Sequence, residues 1–161
     1  MDEQPTPSQT VGPFFGFALP FAGQEVAADP AQPGAVRVEG VLRDGAGEPV
    51  PDGLLEVWQD DQFARCATDA EGAFHIAVRK PAAPPGQAPH LHVLVLARGL
   101  LRHLVTRVYF PDEAAANAAD PVLALVEPDR RSGLVARDEA GGVLRFDVRL
   151  QGEGETVFFA S

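Results

Sequence analysis

Residues 88–99 read APHLHVLVLARG. Below two histidines, His90 and His92, the run HLHVLVLA (90–97) is apolar on both faces, as a strand buried within a sheet would be. The segments on either side carry the same signal in its half-buried form. In AFHIAVR (73–79), Phe74, Ile76 and Val78 share one face and His75, Ala77 and Arg79 the other. In VLRFDVRLQG (143–152), Leu144, Phe146, Val148 and Leu150 alternate with Arg145, Asp147 and Arg149. VRVEGVLR (36–43), LLEVWQ (54–59), HLVTRVYF (103–110) and ETVFF (155–159) add further strand-like runs. DGAGEPV (44–50) and DAEG (69–72) are turn clusters between them. Only DEAAANAA (112–119) and EPDRRSGLVAR (127–137) read as helical, and both are short. Short strands, frequent turns and no long helix predict an all-β chain, an antiparallel β-sandwich with one or two short helices.

At 161 residues and 45% hydrophobic composition, one domain can close a core. Much of the proline and glycine lies in residues 1–35, which predict an extended arm ahead of a sandwich domain at 36–161. That arm carries Phe14, Phe15, Phe17 and Phe21, which require cover from the chain's own sheet or from another chain. A net charge of −10 disfavours nucleic acid, and an anionic small substrate would need a local Arg or Lys. The single cysteine, Cys66, forms no internal disulfide and reads as a small buried hydrophobe rather than a nucleophile. The polar, acidic opening MDEQPTPSQT has no signal-peptide pattern, and no apolar run reaches membrane-spanning length, so a cytoplasmic location is expected.

On a strand, His90 and His92 face one side about 7 Å apart by the strand rise, close enough to share a metal. An isolated H-x-H is weak, and a structural role is the first reading. A mononuclear iron site also needs carboxylate or phenolate oxygens, or further histidines. The positions where a cupin would place its glutamate hold Val95 and Leu96. His75 and His103 read as solvated or hydrogen-bonded residues, and Tyr109 as a core ring with a bonded hydroxyl. Arg130 and Arg131 read as a solvated face or an ion-pairing surface. From the residues alone, Gly12-Pro13 is a turn between arm and sheet, and Arg98, ahead of Gly99, is a solvated turn residue.

TPSQTVGPFF, LLEVWQDD, CATDAEGAFHIAVRKP, APHLHVLVLARGLLRHLVTRVYF and GEGETVFF, in this order from about residue 6 to 159, resemble the intradiol ring-cleavage dioxygenases. The resemblance implies a prealbumin-like sandwich. It also implies an enzyme that uses Fe³⁺ and O₂ to open a dihydroxylated aromatic acid such as 3,4-dihydroxybenzoate. In that family two tyrosines and two histidines hold the iron. Here WQDDQFARC offers only Phe63 where the first tyrosine would fall, and RKPAAPPGQAPH offers no second. The resemblance therefore implies a non-iron subunit with a vestigial His90/His92 pair and no catalytic residue of its own. Its partner would be a catalytic β subunit carrying the iron, with the cleft at their interface. By matching motif, Gly12, Pro13 and Arg98 would line that cleft. Two other readings stay open: a non-catalytic prealbumin-like binding module, and a self-sufficient metal dioxygenase using His90, His92 and Tyr109 or Glu113. The stretch between the strand ending at Gln59 and the C-x-T-D turn at Cys66–Asp69 is also shorter than in familiar members.

Overall fold

Alternation and turn chemistry place the strands where they are found. The computed structural model describes residues 9, 10, 12, 14–59, 61–139 and 141–160. In it β1 spans Ala35–Arg43, β2 Gly53–Gln59, β3 Gln62–Ala67, β4 Ala73–Arg79, β5 His90–Ala97 and β6 Leu104–Tyr109. Three short strands follow: β7 (Arg137–Glu139), β8 (Val143–Arg145) and β9 (Val148–Arg149). A single helical turn, α1 (Phe15–Ala18), sits in the N-terminal segment. A 3₁₀ turn at Pro111–Glu113 leads into α2 (Ala114–Ala119), where proline opens the turn and alanines sustain it.

Two sheets face each other. One has the order β4-β1-β8-β7 with β9 also pairing β1, and the other the order β3-β2-β5-β6. Alternate residues point inward and meet: Val38 and Leu42, Leu55 and Val57, Phe74, Ile76 and Val78, Leu91, Val93 and Val95, and Phe146 and Val148. Burial of these side chains is the main force holding the sandwich, at about 25 cal/mol for each Å² removed from water. The sandwich expected from the alternation is therefore present. The first sheet is mixed, because β1 pairs β8 and β9 in parallel. The chain crosses from β6 through residues 110–136 before the antiparallel β7–β8 pair returns it beside β1.

Four local differences from the sequence reading have physical causes. β5 is buried on its inner face, but His92, Leu94 and Leu96 on its outer face are only half-buried. The only helical piece within residues 127–137 is the 3₁₀ turn Arg131–Leu134, since Pro128 and Gly133 interrupt any longer helix. The run 143–152 is split: Asp147 takes the Val41 N–H at 3.0 Å with its carboxylate, replacing a ladder bond between β8 and β9. ETVFF is extended but joins the sheet only through a bridge from Phe159 to Val105. Among the described residues no helix is long and apolar enough to cross a membrane.

The described part of the N-terminal segment lies against the sheet edges. Arg65 donates its backbone N–H to Gln24 and its guanidinium to the Leu19 carbonyl, and Val26 bridges to Ala77. Of the four arm phenylalanines only Phe15 is buried; Phe14 is 78%, Phe17 82% and Phe21 66% exposed.

Candidate functional site

The histidine pair lies on the outer face of the second sheet. His90 stands opposite Tyr109 and His92 between Trp58 and Arg107. His90 is buried, and its Nδ1 lies 2.8 Å from the Ala88 carbonyl oxygen. A carbonyl only accepts, so Nδ1 carries the proton and Nε2 is left with its lone pair. That Nε2 is 3.2 Å from Nε2 of His92, which must then be the donor. Burial lowers both histidine pKa values, and the Arg107 guanidinium lowers them further; for His92 the charge of a protonated His90 adds to this. Both rings are held neutral by the same surroundings.

Beneath the pair, Asp120 organises the backbone. Its Oδ2 accepts the Ala88 N–H at 2.8 Å. Its Oδ1 accepts the Val122 and Leu123 N–H groups at 2.9 and 2.8 Å and the Tyr109 hydroxyl at 3.1 Å. Burial alone would raise this carboxyl's pKa, but the hydrogen bonds outweigh it and hold it below the usual carboxylate range. Burial pushes the Tyr109 hydroxyl pKa up, with Arg107 opposing, so the ring stays a phenol. The same Arg107 donates to Gln87 at 2.7 Å and reaches the phenol oxygen at 3.2 Å.

This donor set does not fit a ferric ion. A ferric site wants hard anionic oxygens, and the pair offers two neutral imidazoles. The nearby phenol is protonated and its oxygen is shared between Asp120 and Arg107. Among the described residues no group of three His, Cys, Asp or Glu side chains is arranged to hold a metal. A guanidinium at this distance also opposes any added cation.

Arg98 begins the turn after β5, followed by Gly99 at φ +92°. Its Nε is 2.7 Å from Asp52 Oδ2. Both line a cavity of about 290 Å³ together with Phe15 and Phe17 of α1 and Leu54. The fold thus brings the sequence-selected Arg98 beside the N-terminal segment. Gly12, half-buried at φ +69°, is three residues ahead of α1 and does not line that cavity. Pro13 lies outside the described residues. Asp52 and Asp120 escaped the sequence reading; their only signals were the turn-forming Pro51-Asp52-Gly53 and Asp120-Pro121.

The remaining candidates serve the fold. Cys66 is buried, and burial raises its thiol pKa. Arg131 donates to the Val126 and Ala124 carbonyls, and Arg130 to the Glu155 carbonyl. His103 is exposed, and His75 is half-buried opposite Glu39.

No family model matches the chain. It is 43% identical to a protocatechuate 3,4-dioxygenase alpha chain from Burkholderia cepacia, over 96% of each chain. It is 31% identical to the beta chain of that enzyme from the same organism, over 74% of this chain and 65% of the relative. Among solved structures, the dioxygenase domain of a dioxygenase carbohydrate-binding protein fusion from Streptomyces sp. SirexAA-E superposes with a TM-score of 0.66 at 29% identity, covering 92% of this chain and 99% of that one. A two-sheet sandwich carrying H-x-H on an outward strand face is thus of the intradiol ring-cleaving dioxygenase class. Within that class the chain belongs to the family of protocatechuate 3,4-dioxygenase alpha chains. The class implies non-haem iron in the working enzyme. The B. cepacia alignment runs over 189 residues, more than the 161 of this chain, so the relative carries segments absent here. One tight connection in this chain joins β2 to β3, where Gln59 pairs with Gln62.

Proposed function

We propose that this chain is the non-iron subunit of a protocatechuate 3,4-dioxygenase and completes the active-site cleft of an iron-bearing beta chain. The reaction would open 3,4-dihydroxybenzoate between its hydroxyl-bearing carbons, with both atoms of O₂ entering to give 3-carboxy-cis,cis-muconate. The bound iron, held by the partner, would supply activation of the catecholate toward O₂. The observation that carries this reading is the composition around His90 and His92: near-full-length likeness to an alpha chain, with no anionic oxygen among the described residues free to join the imidazoles.

This chain's own residues would shape the cleft. Gly12, at positive φ, allows close backbone approach, and Pro13 stiffens the segment into a wall. Arg98 complements negative charge on the bound ligand, with more effect in a partly desolvated cleft than in bulk water. The exposed Phe14, Phe17 and Phe21 of the N-terminal segment, the half-exposed Trp58 and the half-buried outer face of β5 support a protein partner.

The test is expression with and without a candidate beta chain, assaying iron, visible colour and O₂ uptake dependent on 3,4-dihydroxybenzoate. Activity and colour are expected only when the two chains are together. A coloured, iron-loaded and active preparation of this chain alone would overturn the reading.

A further inference from the structure

The Asp52–Arg98 pair is unusual in what it leaves open. Asp52 engages Arg98 through Nε, and no other ion pair involves that guanidinium among the described residues. The two Nη groups, which form the fork best suited to a carboxylate or a catecholate oxygen pair, remain available. The pair also stands in water, with side-chain exposures of 67% for Arg98 and 34% for Asp52, so it contributes little to stability.

The support behind Asp52 is firmer than the pair itself. Asp52 and Arg98 occupy facing positions one step beyond the rung Gly53–Ala97, the last of the β2–β5 ladder. The turn before β2 is fastened by one hydroxyl: Gly53 donates its N–H to Thr68 Oγ1 at 2.9 Å, and Thr68 donates to the Val50 carbonyl at 2.7 Å. On the other strand, the Leu100 N–H closes the turn onto the Ala97 carbonyl at 3.2 Å. Both backbones are therefore fixed, and only the long arginine side chain is free to wander. A short carboxylate on a fixed turn restricts that freedom at Nε, and both side chains line the cavity beside α1.

We propose that Asp52 is a positioning residue: it holds Arg98 with its Nη fork presented to the anionic ligand of the cleft. The proposal rests on the reading that Arg98 lines the cleft, and its test separates the two. It is made on the complex of this chain with a catalytic beta chain, by steady-state kinetics with 3,4-dihydroxybenzoate. Asp52→Ala raises KM about three- to tenfold with kcat within about twofold, the span expected when one ordered arginine becomes free to rotate. Asp52→Glu, which keeps the carboxylate charge that pairs with Arg98, restores most of the wild-type KM. Arg98→Ala raises KM at least as much, and Asp52→Ala adds nothing to it, as two residues acting in series require. Sedimentation of each variant complex confirms assembly, with Asp52→Ser as the second truncation should the alanine chain fail to assemble. A wild-type KM in Asp52→Ala and Asp52→Ser beside a raised KM in Arg98→Ala overturns the positioning role and leaves the cleft role of Arg98 standing. A lowered KM in both Asp52→Ala and Asp52→Asn also overturns it, since Asp52 would then neutralise the arginine rather than aim it. An unchanged KM in Arg98→Ala removes the cleft reading itself.

Discussion

Asp120 shows how much of a site one side chain can settle. Its two oxygens meet four donors, three of them backbone N–H groups. Asparagine in its place keeps one acceptor oxygen for Val122, Leu123 and Tyr109 but turns an NH₂ toward the Ala88 N–H. Asp120→Asn should therefore cost about 1–3 kcal/mol, the penalty of a buried donor left unpaired, read from urea unfolding. The sign of the pH dependence follows from the depressed carboxyl pKa. Its stabilisation is complete above the ordinary value of 3.8 and is lost as pH falls below it, through the lower folded value. The variant should flatten that acid limb; an unchanged limb would place the acid sensitivity elsewhere. The histidines act in the same direction at higher pH. Their folded pKa values lie below the ordinary 6.5, so the unfolded chain takes up protons first and stability falls as pH drops below 6.5. His92→Gln should reduce the fall in thermal midpoint between about pH 6.5 and 5. At this scale the sequence displayed the histidines and the bonded, buried phenol. It hid Asp120, because a carboxylate serving distant N–H groups looks like any turn residue until the chain closes around it.

Elements were legible where the alternation ran unbroken, as in β4, or where an apolar run marked a strand within a sheet, as in β5, and illegible where one residue interrupts the pattern. Residues 143–152 alternate without fault, yet the strand breaks at Phe146-Asp147. Phe146 donates its N–H to Glu39 and Asp147 receives the N–H of Val41, so the two segments straddle Gly40 of β1. A Cβ at Gly40 would overlap the Phe146 carbonyl and lie 2.6 Å from the Phe74 ring. Backbone cannot yield as a flexible side chain does. Gly40→Ala should destabilise the fold by about 1–3 kcal/mol or more, seen as a lower denaturant midpoint at unchanged m-value. Gly16→Ala, with nothing within 4 Å of the added carbon, is the matched control and should shift the midpoint far less. Equal effects would mean that the close crossing at Gly40 is not what the glycine is for. Composition alone ranks these two glycines alike; only the pairing partner of β1 separates them.

For the whole molecule, the arm and the outer sheet face pose one question: what covers them? The sequence required cover for four phenylalanines, and the chain itself covers only Phe15. It also wrote β5 as apolar on both faces, although the sandwich buries only one of them. Both excesses are explained by one proposed contact, an interface with the beta chain across the face that carries Trp58, His92 and the N-terminal segment. A sequence records such a surface as surplus hydrophobicity without saying whose core it joins, so the sandwich could be read from this chain while its neighbour could not. The contact is testable without reference to catalysis. Phe17 is 82% and Phe14 78% exposed, so aspartate at either position removes little internal packing. Each variant should unfold within about a degree or two of the parent chain, the small effect usual for surface substitutions. Each should nonetheless weaken assembly with the beta chain by about 2 kcal/mol, roughly thirtyfold, if these rings fill central pockets of the interface. Sedimentation velocity of the mixed chains measures the loss directly. Full-strength assembly by both variants would move the interface off this face, and with it the explanation for the two-sided strand.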